Sequence, residues 1–118
     1  VVDGLVEQDE GTISLPLRPD FDERPIQVVD LEKGKMALTY YNVLKRENGR
    51  TRVLFRPQTG RTHQLRVHSA HPDGLGFPIV GDTLYGTMAD RLYLHASKIT
   101  FSHPVSGQTI VLCCEPNF

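Results

Sequence analysis

The clearest pattern in the chain is a pair of strand-like runs on either side of a tight turn. Residues 38–46 and 50–56 are rich in aliphatic, aromatic and β-branched side chains, and Asn48-Gly49 lies between them. Asn-Gly between two such runs is typical of a type I′ turn, because both central residues of that turn need a positive φ. The sequence therefore predicts an antiparallel hairpin over residues 38–56.

Pairing across this turn predicts which side chains share a face of the hairpin. We expect Leu44 opposite Val53 and Asn42 opposite Phe55 on one face. The other face is then made of Tyr41, Val43, Lys45, Arg52, Leu54 and Arg56. A face that mixes apolar residues with three cations fits either a basic surface for RNA or long side chains extended into solvent.

Shorter apolar stretches predict the remaining strands. They cover residues 13–17, 26–31, 92–96 continuing to 99–101, and 108–114, and proline, glycine and polar residues separate them. With one convincing helix among several strands, the pattern predicts an α+β fold with a mainly antiparallel mixed sheet. A chain of 118 residues is the size of one small domain, so we expect residues 1–118 to form a single unit.

The helix is predicted just after residue 59. Gly60 can adopt the positive φ of a sharp strand-to-helix turn, and Thr62 is a suitable N-cap. We expect the helix to end near His71-Pro72. Free amides at its start, flanked by Arg61 and Arg66, would suit an anion such as phosphate or carboxylate, although solvated arginines explain the same pattern.

Charge is distributed unevenly along the chain. Residues 1–32 hold nine acidic and two basic residues, a net charge of −7, whereas residues 33–72 hold nine basic residues against Glu47, a net charge of +8. A local basic block is what contact with a nucleic acid backbone requires, even though the whole chain has a net charge of −1. A solvated basic face is the alternative.

Other candidate chemistry is weaker. Cys113 and Cys114 are neighbours that cannot form an unstrained mutual disulfide, so we expect buried or half-buried thiols in a reducing cytosol. The spacing of the histidines does not match a zinc motif, and no metal site is predicted. No apolar run approaches the ~18 residues of a membrane helix. We expect Asp82, after a short apolar strand, to accept hydrogen bonds from backbone amides.

Three segments, in this order, carry a resemblance to a known family. Residues 60–68 read Gly-Arg-Thr-His-Gln-Leu-Arg-Val-His, and residues 78–86 read Pro-Ile-Val-Gly-Asp-Thr-Leu-Tyr-Gly. The third runs from Arg-Leu-Tyr-Leu-His-Ala at 91–96 to Phe-Ser-His-Pro-Val-Ser-Gly at 101–107. Together they resemble the C-terminal half of the catalytic domain of RluA-type pseudouridine synthases, over about residues 35–118. Residues 1–34 then correspond to the variable connecting region of that family.

The resemblance implies isomerisation of uridine to pseudouridine in structured ribosomal or transfer RNA, in the cytoplasm, without a cofactor and without contact with a membrane. It implies an aspartate nucleophile in a His-Arg-Leu-Asp motif and an arginine that pairs with this aspartate. Arg66 occupies the position of that arginine. The residues that we expect to contact RNA are Arg50, Arg52, Arg56, Arg61 and His63.

The sequence departs from the family at the nucleophile. The 118 residues contain no His-Arg-Leu-Asp motif, and the active-site tyrosine of the family is expected just before Val1. Phe77 stands where the family commonly has histidine. We therefore expect a fragment that is inactive alone, with an open strand edge at Val1-Val2 through which the chain could self-associate. The alternative is a non-catalytic RNA-binding or interaction module.

Overall fold

Three small antiparallel sheets and one helix make up the described part of the chain, which is residues 1–22, 26–102 and 104–118 of this computed structural model. The strands and the helix are β1 (Glu10–Ser14), β2 (Leu17–Pro19), β3 (Gln27–Val29), β4 (Leu38–Glu47), β5 (Arg50–Pro57), α1 (Gln64–Ala70), β6 (Lys98–Ser102) and β7 (Thr109–Cys113). The α+β class predicted from the sequence is confirmed. That residues 1–118 form a single domain, with 1–34 as a variable connecting region, stays a prediction.

The predicted hairpin is the central part of the largest sheet. β4 pairs with β5 across the turn and with β1 on its other side, in the order β1-β4-β5. Asn48 and Gly49 have φ values of 54° and 73°, as a type I′ turn requires. The Asn-Gly signal therefore located the turn and both strands correctly.

The predicted register of the hairpin is wrong beyond its first three pairs. Val43 pairs with Val53, and Lys45 pairs with Arg52, so Leu44 is an extra residue in a β-bulge. Because of the bulge, the residues of β4 before Leu44 face the opposite side of β5 from the one that strict alternation predicts. As a result Val43 turns toward the core, whereas the exposed Leu44 does not share a buried face with Val53.

The main core lies on one side of the three-stranded sheet. Its buried residues are Val2, Val6, Ile13, Leu15, Tyr41 and Ile79, and the partly buried residues packed against them include Val43, Val53 and Phe55. Tyr41 was predicted on the same face as Lys45, and the bulge separates the two. A smaller cluster of Leu17, Ala37 and Val67 holds α1 against the segment that precedes β4.

Val2 is paired on both of its sides. Its amide donates to the Thr51 carbonyl at 2.8 Å and its carbonyl accepts from the Thr51 amide at 3.1 Å, and it also forms a β-bridge with Ile79. The Thr51 hydroxyl donates to the Gly4 carbonyl at 2.7 Å and accepts from the Val6 amide at 3.0 Å. The open edge expected at Val1-Val2 is therefore absent at Val2, and self-association stays a prediction.

The C-terminal part of the chain agrees with the sequence analysis only in part. β6 and β7 pair as predicted, but residues 92–96 form no strand. Cys113 and Cys114 are both free and exposed, so the expectation of buried thiols is wrong. His103, part of the third motif, lies outside the described residues, as do residues 23–25. No helix in the ranges described above is long and apolar enough to cross a membrane.

The helix begins later and differently than predicted. His63, rather than Gly60, adopts the left-handed conformation, with a φ of 54°, and no side chain caps α1. The predicted roles of Gly60 and Thr62 are therefore wrong. The side chain of Gln64 replaces them, because its Oε1 accepts from the Arg61 amide at 3.0 Å and fixes the turn before the helix.

A buried chain of hydrogen bonds fastens α1 to β4. Nε2 of His68 lies 3.0 Å from the Leu15 carbonyl, which can only accept, so Nε2 carries the proton. Nδ1 of His68 then accepts from the Thr39 hydroxyl at 2.9 Å, and Thr39 accepts from Nε2 of Gln64 at 2.9 Å. Burial lowers the pKa of His68, although the bond to Leu15 opposes this, and the histidine is therefore neutral.

Removing the hydroxyl in the middle of this chain should destabilise the protein. Thr39→Val keeps the shape of the side chain but leaves buried groups of Gln64 and His68 without a partner, which costs about 1–3 kcal/mol of unfolding free energy. Thr12→Val is the matched control, because Thr12 lies exposed on β1 of the same sheet. We expect it to change stability by about 0.5 kcal/mol or less in urea titrations. Equal losses in both variants would contradict the role of the network.

Candidate active site around Arg66 and Asp82

The centre of the candidate site is a two-pronged ion pair between α1 and the loop after residue 80. Nε of Arg66 lies 2.9 Å from Oδ2 of Asp82, and Nη2 lies 2.6 Å from Oδ1. The side chain of Asp82 is 0% exposed and that of Arg66 is 17% exposed. Two parallel bonds of this kind fix the plane of the guanidinium as well as its position.

The backbone around Asp82 is shaped to hold its carboxylate. Gly81 has a φ of +84°, and a Cβ there would lie 1.7 Å from the Arg91 carbonyl, so only glycine fits. Oδ1 of Asp82 also accepts from the amides of Leu84 and Tyr85, at 3.0 and 3.1 Å. The expectation that Asp82 binds backbone amides is confirmed, but the sequence analysis missed its pairing with Arg66.

Both charges of the pair are stabilised. Burial by itself would raise the pKa of Asp82, but the hydrogen bonds from Arg66, Tyr85 and Leu84 outweigh burial and hold this pKa below its usual range. The hydrogen bond to Asp82 raises the pKa of Arg66. Asp82 is therefore an ionised anchor for Arg66 and is fully occupied in that role.

An aromatic and a histidine complete the cluster. The guanidinium carbon of Arg66 lies 5.4 Å from the ring centre of Tyr85, within the range of a cation–π contact. The Tyr85 hydroxyl accepts from the Gln27 amide at 2.9 Å and lies 2.9 Å from Nδ1 of His63. Burial, and then the charge of Arg66, lower the pKa of His63, while burial raises that of Tyr85. Nδ1 of a neutral His63 therefore accepts a hydrogen bond from the Tyr85 hydroxyl.

Arg66 keeps donors for a further partner. A guanidinium has five N–H groups, and Asp82 engages one on Nε and one on Nη2. No described residue accepts a hydrogen bond from Nη1. Asp82 fixes the Nε–Nη2 edge of the guanidinium, and the Tyr85 ring contacts its face. The remaining N–H donors are therefore held in a defined direction. The geometry is suited to a second carboxylate or another anion on the open side of Arg66.

The other predicted site residues do not join this cluster, except for His63. Nε of Arg61 donates to the Met36 carbonyl at 2.9 Å, and Arg56 donates to the Asn42 side chain at 2.8 Å. Arg50 lies 3.7 Å from Asp3, and Arg52 contacts the Phe118 carbonyl and ring. None of these contacts of the four arginines involves Arg66 or Asp82.

The anion site predicted at the helix start is not formed. The Arg61 amide is bonded to Gln64, and the guanidinium of Arg66 faces Asp82. Gly60, with no positive φ, does not shape a loop around an anion. Within the described residues, no group of three or more histidine, cysteine or acidic side chains is arranged to hold a metal ion.

Comparison with known proteins identifies the family of the chain. A family model described as RNA pseudouridylate synthase matches residues 1–71. A dual-specificity RNA pseudouridine synthase RluA of Vibrio cholerae is 47% identical over an alignment of 119 positions, which covers 95% of this chain and 47% of that protein. The RluA of Haemophilus influenzae is 41% identical over an alignment of 124 positions, which covers 100% of this chain and 55% of that protein. The chain thus spans about half the length of these relatives.

Solved structures agree as well. Human RNA Pseudouridylate Synthase Domain Containing 1 superposes with a TM-score of 0.82 at 30% identity, over 99% of this chain and 52% of that one. Human RNA Pseudouridylate Synthase Domain Containing 4 shares the fold, with a TM-score of 0.71 at 22% identity, over 98% of this chain and 56% of that one. The chain belongs to the RluA-type RNA pseudouridine synthase family, as its three motifs predicted.

Breaking the buried ion pair should cost much more stability than breaking an exposed one. Asp82→Asn leaves the charge of Arg66 without its partner in a largely closed site, and we expect a loss of about 3–5 kcal/mol in unfolding free energy. Asp9→Asn is the control, because Asp9 pairs with Arg46 at 2.8 Å but is 86% exposed. Its loss should be about 1 kcal/mol or less. Similar midpoints in urea for both variants would contradict this assignment.

Proposed function

We propose that the chain is the C-terminal part of the catalytic domain of a cytoplasmic enzyme that isomerises uridine to pseudouridine in ribosomal or transfer RNA. The observation that carries the proposal is the fixed guanidinium of Arg66, which lies in the 60–68 motif and keeps donors on its open side. In the family this motif supplies the arginine that pairs with the nucleophilic aspartate. The names of the relatives from Vibrio cholerae and Haemophilus influenzae support RNA as the substrate.

Arg66 would act by holding that aspartate in its ionised form. A cation within about 4–6 Å favours the charged form of a carboxylate, and hydrogen bonds from a fixed fork also orient it. Asp82 and Tyr85 are positioning residues in this scheme, because they touch Arg66 and not the reacting atoms. His63 in turn holds the hydroxyl of Tyr85. Each contact restricts the conformations of the Arg66 side chain before the substrate binds. Less conformational entropy is then lost on reaching the reactive geometry.

The reaction itself needs no oxidant, reductant or group donor. The target uridine is turned out of the RNA, since its ring cannot rotate while stacked. The bond between the sugar and N1 breaks, the base rotates, and the sugar rejoins it at carbon 5. The proton lost from carbon 5 balances the one gained at N1, so substrate and product are isomers. The proposed enzyme therefore uses no cofactor, and the protein has to supply the nucleophile and the orientation of the base.

A chain of residues 1–118 should not form pseudouridine by itself, because it contains no His-Arg-Leu-Asp motif and Asp82 is occupied by Arg66. The chain is incubated with bulk ribosomal and transfer RNA, and the nucleosides are separated by liquid chromatography. A complete relative, such as the synthase of Vibrio cholerae, is the positive control. Pseudouridine above background from the 118 residues alone would refute the assignment of the missing nucleophile.

The second test joins this chain to the N-terminal half of a related synthase, which supplies the aspartate. In this chimera Arg66→Ala should lower the single-turnover rate roughly 10²- to 10⁴-fold, since the loss of a buried charge partner costs on the order of 3–5 kcal/mol. Arg61→Ala and Arg50→Ala remove the same charge at sites that would at most touch phosphate. We expect losses of about tenfold or less, dependent on salt.

Two outcomes would overturn the proposal. Comparable losses of single-turnover rate in all three variants would contradict the assignment of Arg66 to the catalytic centre. A folded chimera that binds RNA but forms no pseudouridine would favour the alternative function, a non-catalytic RNA-binding module, over a catalytic one.

A further inference from the structure

A second feature of the surface lies beside the candidate active site. It is a cavity of about 430 Å³ between the β2–β3 hairpin, the turn before β4 and the start of α1. The residues that give it its character are Arg18, Phe21, Lys33, Lys35 and Arg61, and we call this set the basic pocket. Four of the five are cations, and no described carboxylate lines the cavity.

Most of this positive charge is not balanced locally. Arg18 is paired with Asp30 at 2.6 Å. Arg61 uses only Nε, toward the Met36 carbonyl. No described residue forms a hydrogen bond or ion pair with the ammonium group of Lys33 or of Lys35. Among the described residues, the charges of Lys33, Lys35 and Arg61 therefore face the cavity without a carboxylate partner, which is an attractive arrangement for a polyanion.

The cations of the hairpin are in the opposite situation. A second surface cavity, of about 500 Å³, lies at the β4–β5 turn and is lined by both acidic and basic residues. Lys45 lies 2.9 Å from Glu47 there, and Arg50 lies 3.7 Å from Asp3. The two cavities thus differ mainly in the balance of charge: the hairpin cavity has three basic and two acidic side chains, whereas the basic pocket has four basic side chains and no described acidic one.

The backbone that carries the lysines is well fixed. The amide of Lys35 donates to the Leu17 carbonyl at 2.8 Å, and the Leu17 amide donates back at 2.9 Å. Oδ1 of Asp30 accepts from the Lys33 amide at 2.9 Å. The hydrogen bond from the Lys33 amide, followed by the bond from Arg18, lowers the pKa of Asp30 to about 2, so the carboxylate of Asp30 stays ionised. Asp30 therefore organises both Arg18 and the turn that carries Lys33.

An exposed aromatic ring stands at the edge of the same cavity. Phe21 is 69% exposed, and the guanidinium carbon of Arg18 lies 5.3 Å from its ring centre. A large exposed ring next to a cation is the combination that proteins use to stack unpaired bases beside a bound phosphate backbone. A simple inorganic anion would need the cations but not the ring.

The basic pocket adjoins the candidate active site through two direct connections. Gln27, whose amide holds the Tyr85 hydroxyl, also lines the pocket. Residues 60–62 line it as well and lead directly into His63 and α1. Resting on the proposed function, we infer that the basic pocket binds the RNA backbone next to the flipped uridine, with Phe21 stacking on a neighbouring unpaired base.

The first experiment measures binding of the 118-residue chain to a fluorescein-labelled RNA stem-loop with uridines in its loop, by anisotropy over a series of salt concentrations. The double variant Lys33→Gln/Lys35→Gln should bind at least tenfold more weakly at low salt. Its plot of log affinity against log salt should be shallower by about 1.4–1.8, because two phosphate contacts are lost. Thermal melts of each variant check that it folds.

The matched control is Lys45→Gln/Arg46→Gln, which removes the same charge from two cations of β4 that are paired with Glu47 and Asp9. We expect a loss of less than about threefold, since those cations are paired with acids. Equal losses of affinity in the two double variants would mean that only the net charge of the protein matters, and would overturn the inference that the basic pocket binds RNA. An unchanged affinity in Lys33→Gln/Lys35→Gln, or no binding by the parent chain, would overturn it too.

A second variant tests the aromatic ring. Phe21→Ala should weaken binding roughly 5- to 100-fold without changing the salt dependence, because stacking does not involve counterions. Leu31→Ala removes a similarly exposed apolar side chain outside the cavity and should have no effect. Failure of this inference is distinguishable from failure of the proposed function. A chimera that forms no pseudouridine while the chain still binds RNA through Lys33 and Lys35 refutes only the proposed function.

Discussion

The ion pair of Arg66 and Asp82 is the constraint on which the arrangement of the site depends. A carboxylate that is fully buried is costly unless its oxygens are satisfied, and here four donors from three residues surround it. Arg66 can reach it only if α1 is held at the correct height against the sheet. The hydrogen-bond chain from His68 through Thr39 to Gln64 supplies that support at the opposite face of the same helix. The position of α1 against the sheet thus determines both the buried hydrogen bonds that stabilise the fold and the direction of the Arg66 guanidinium.

The elements that the sequence analysis identified correctly are those with strong local causes. Asn48-Gly49 favours its turn whatever surrounds it. Pro72 cannot continue a helix, and α1 ends at Ala70 with His71 as its C-cap, close to the predicted end. The failures have tertiary causes. The bulge at Leu44 is not marked by glycine or by a break in the apolar pattern, and the left-handed turn falls on His63 because the Gln64 side chain folds back onto Arg61. Likewise, no local signal connects Asp82 to an arginine sixteen positions earlier.

Charge shows the same contrast between the sequence and the fold. The acidic segment 1–32 and the basic segment 33–72 look like separate surfaces in the sequence, but the fold places parts of them against each other. Asp3 lies near Arg50, Asp9 pairs with Arg46, and Asp30 pairs with Arg18 from its own segment. A positive block in a sequence is therefore a poor guide to positive potential. The cations on the turn before β4 and at the start of α1 are among those that have no carboxylate partner in the described residues, and they remain to attract an anion.

The double pairing of Val2 bears on the order in which the chain folds. Its partners are 49 and 77 positions away, at Thr51 and Ile79, so neither contact can form before long loops have closed. Contacts of such sequence separation slow folding, whereas the β4–β5 hairpin closes over a two-residue turn. The first residues of the chain would then dock last, onto a hairpin and an Ile79 segment already in place. Because the loop that carries Asp82 follows Ile79 directly, residue Val2 links that loop to the β4–β5 hairpin.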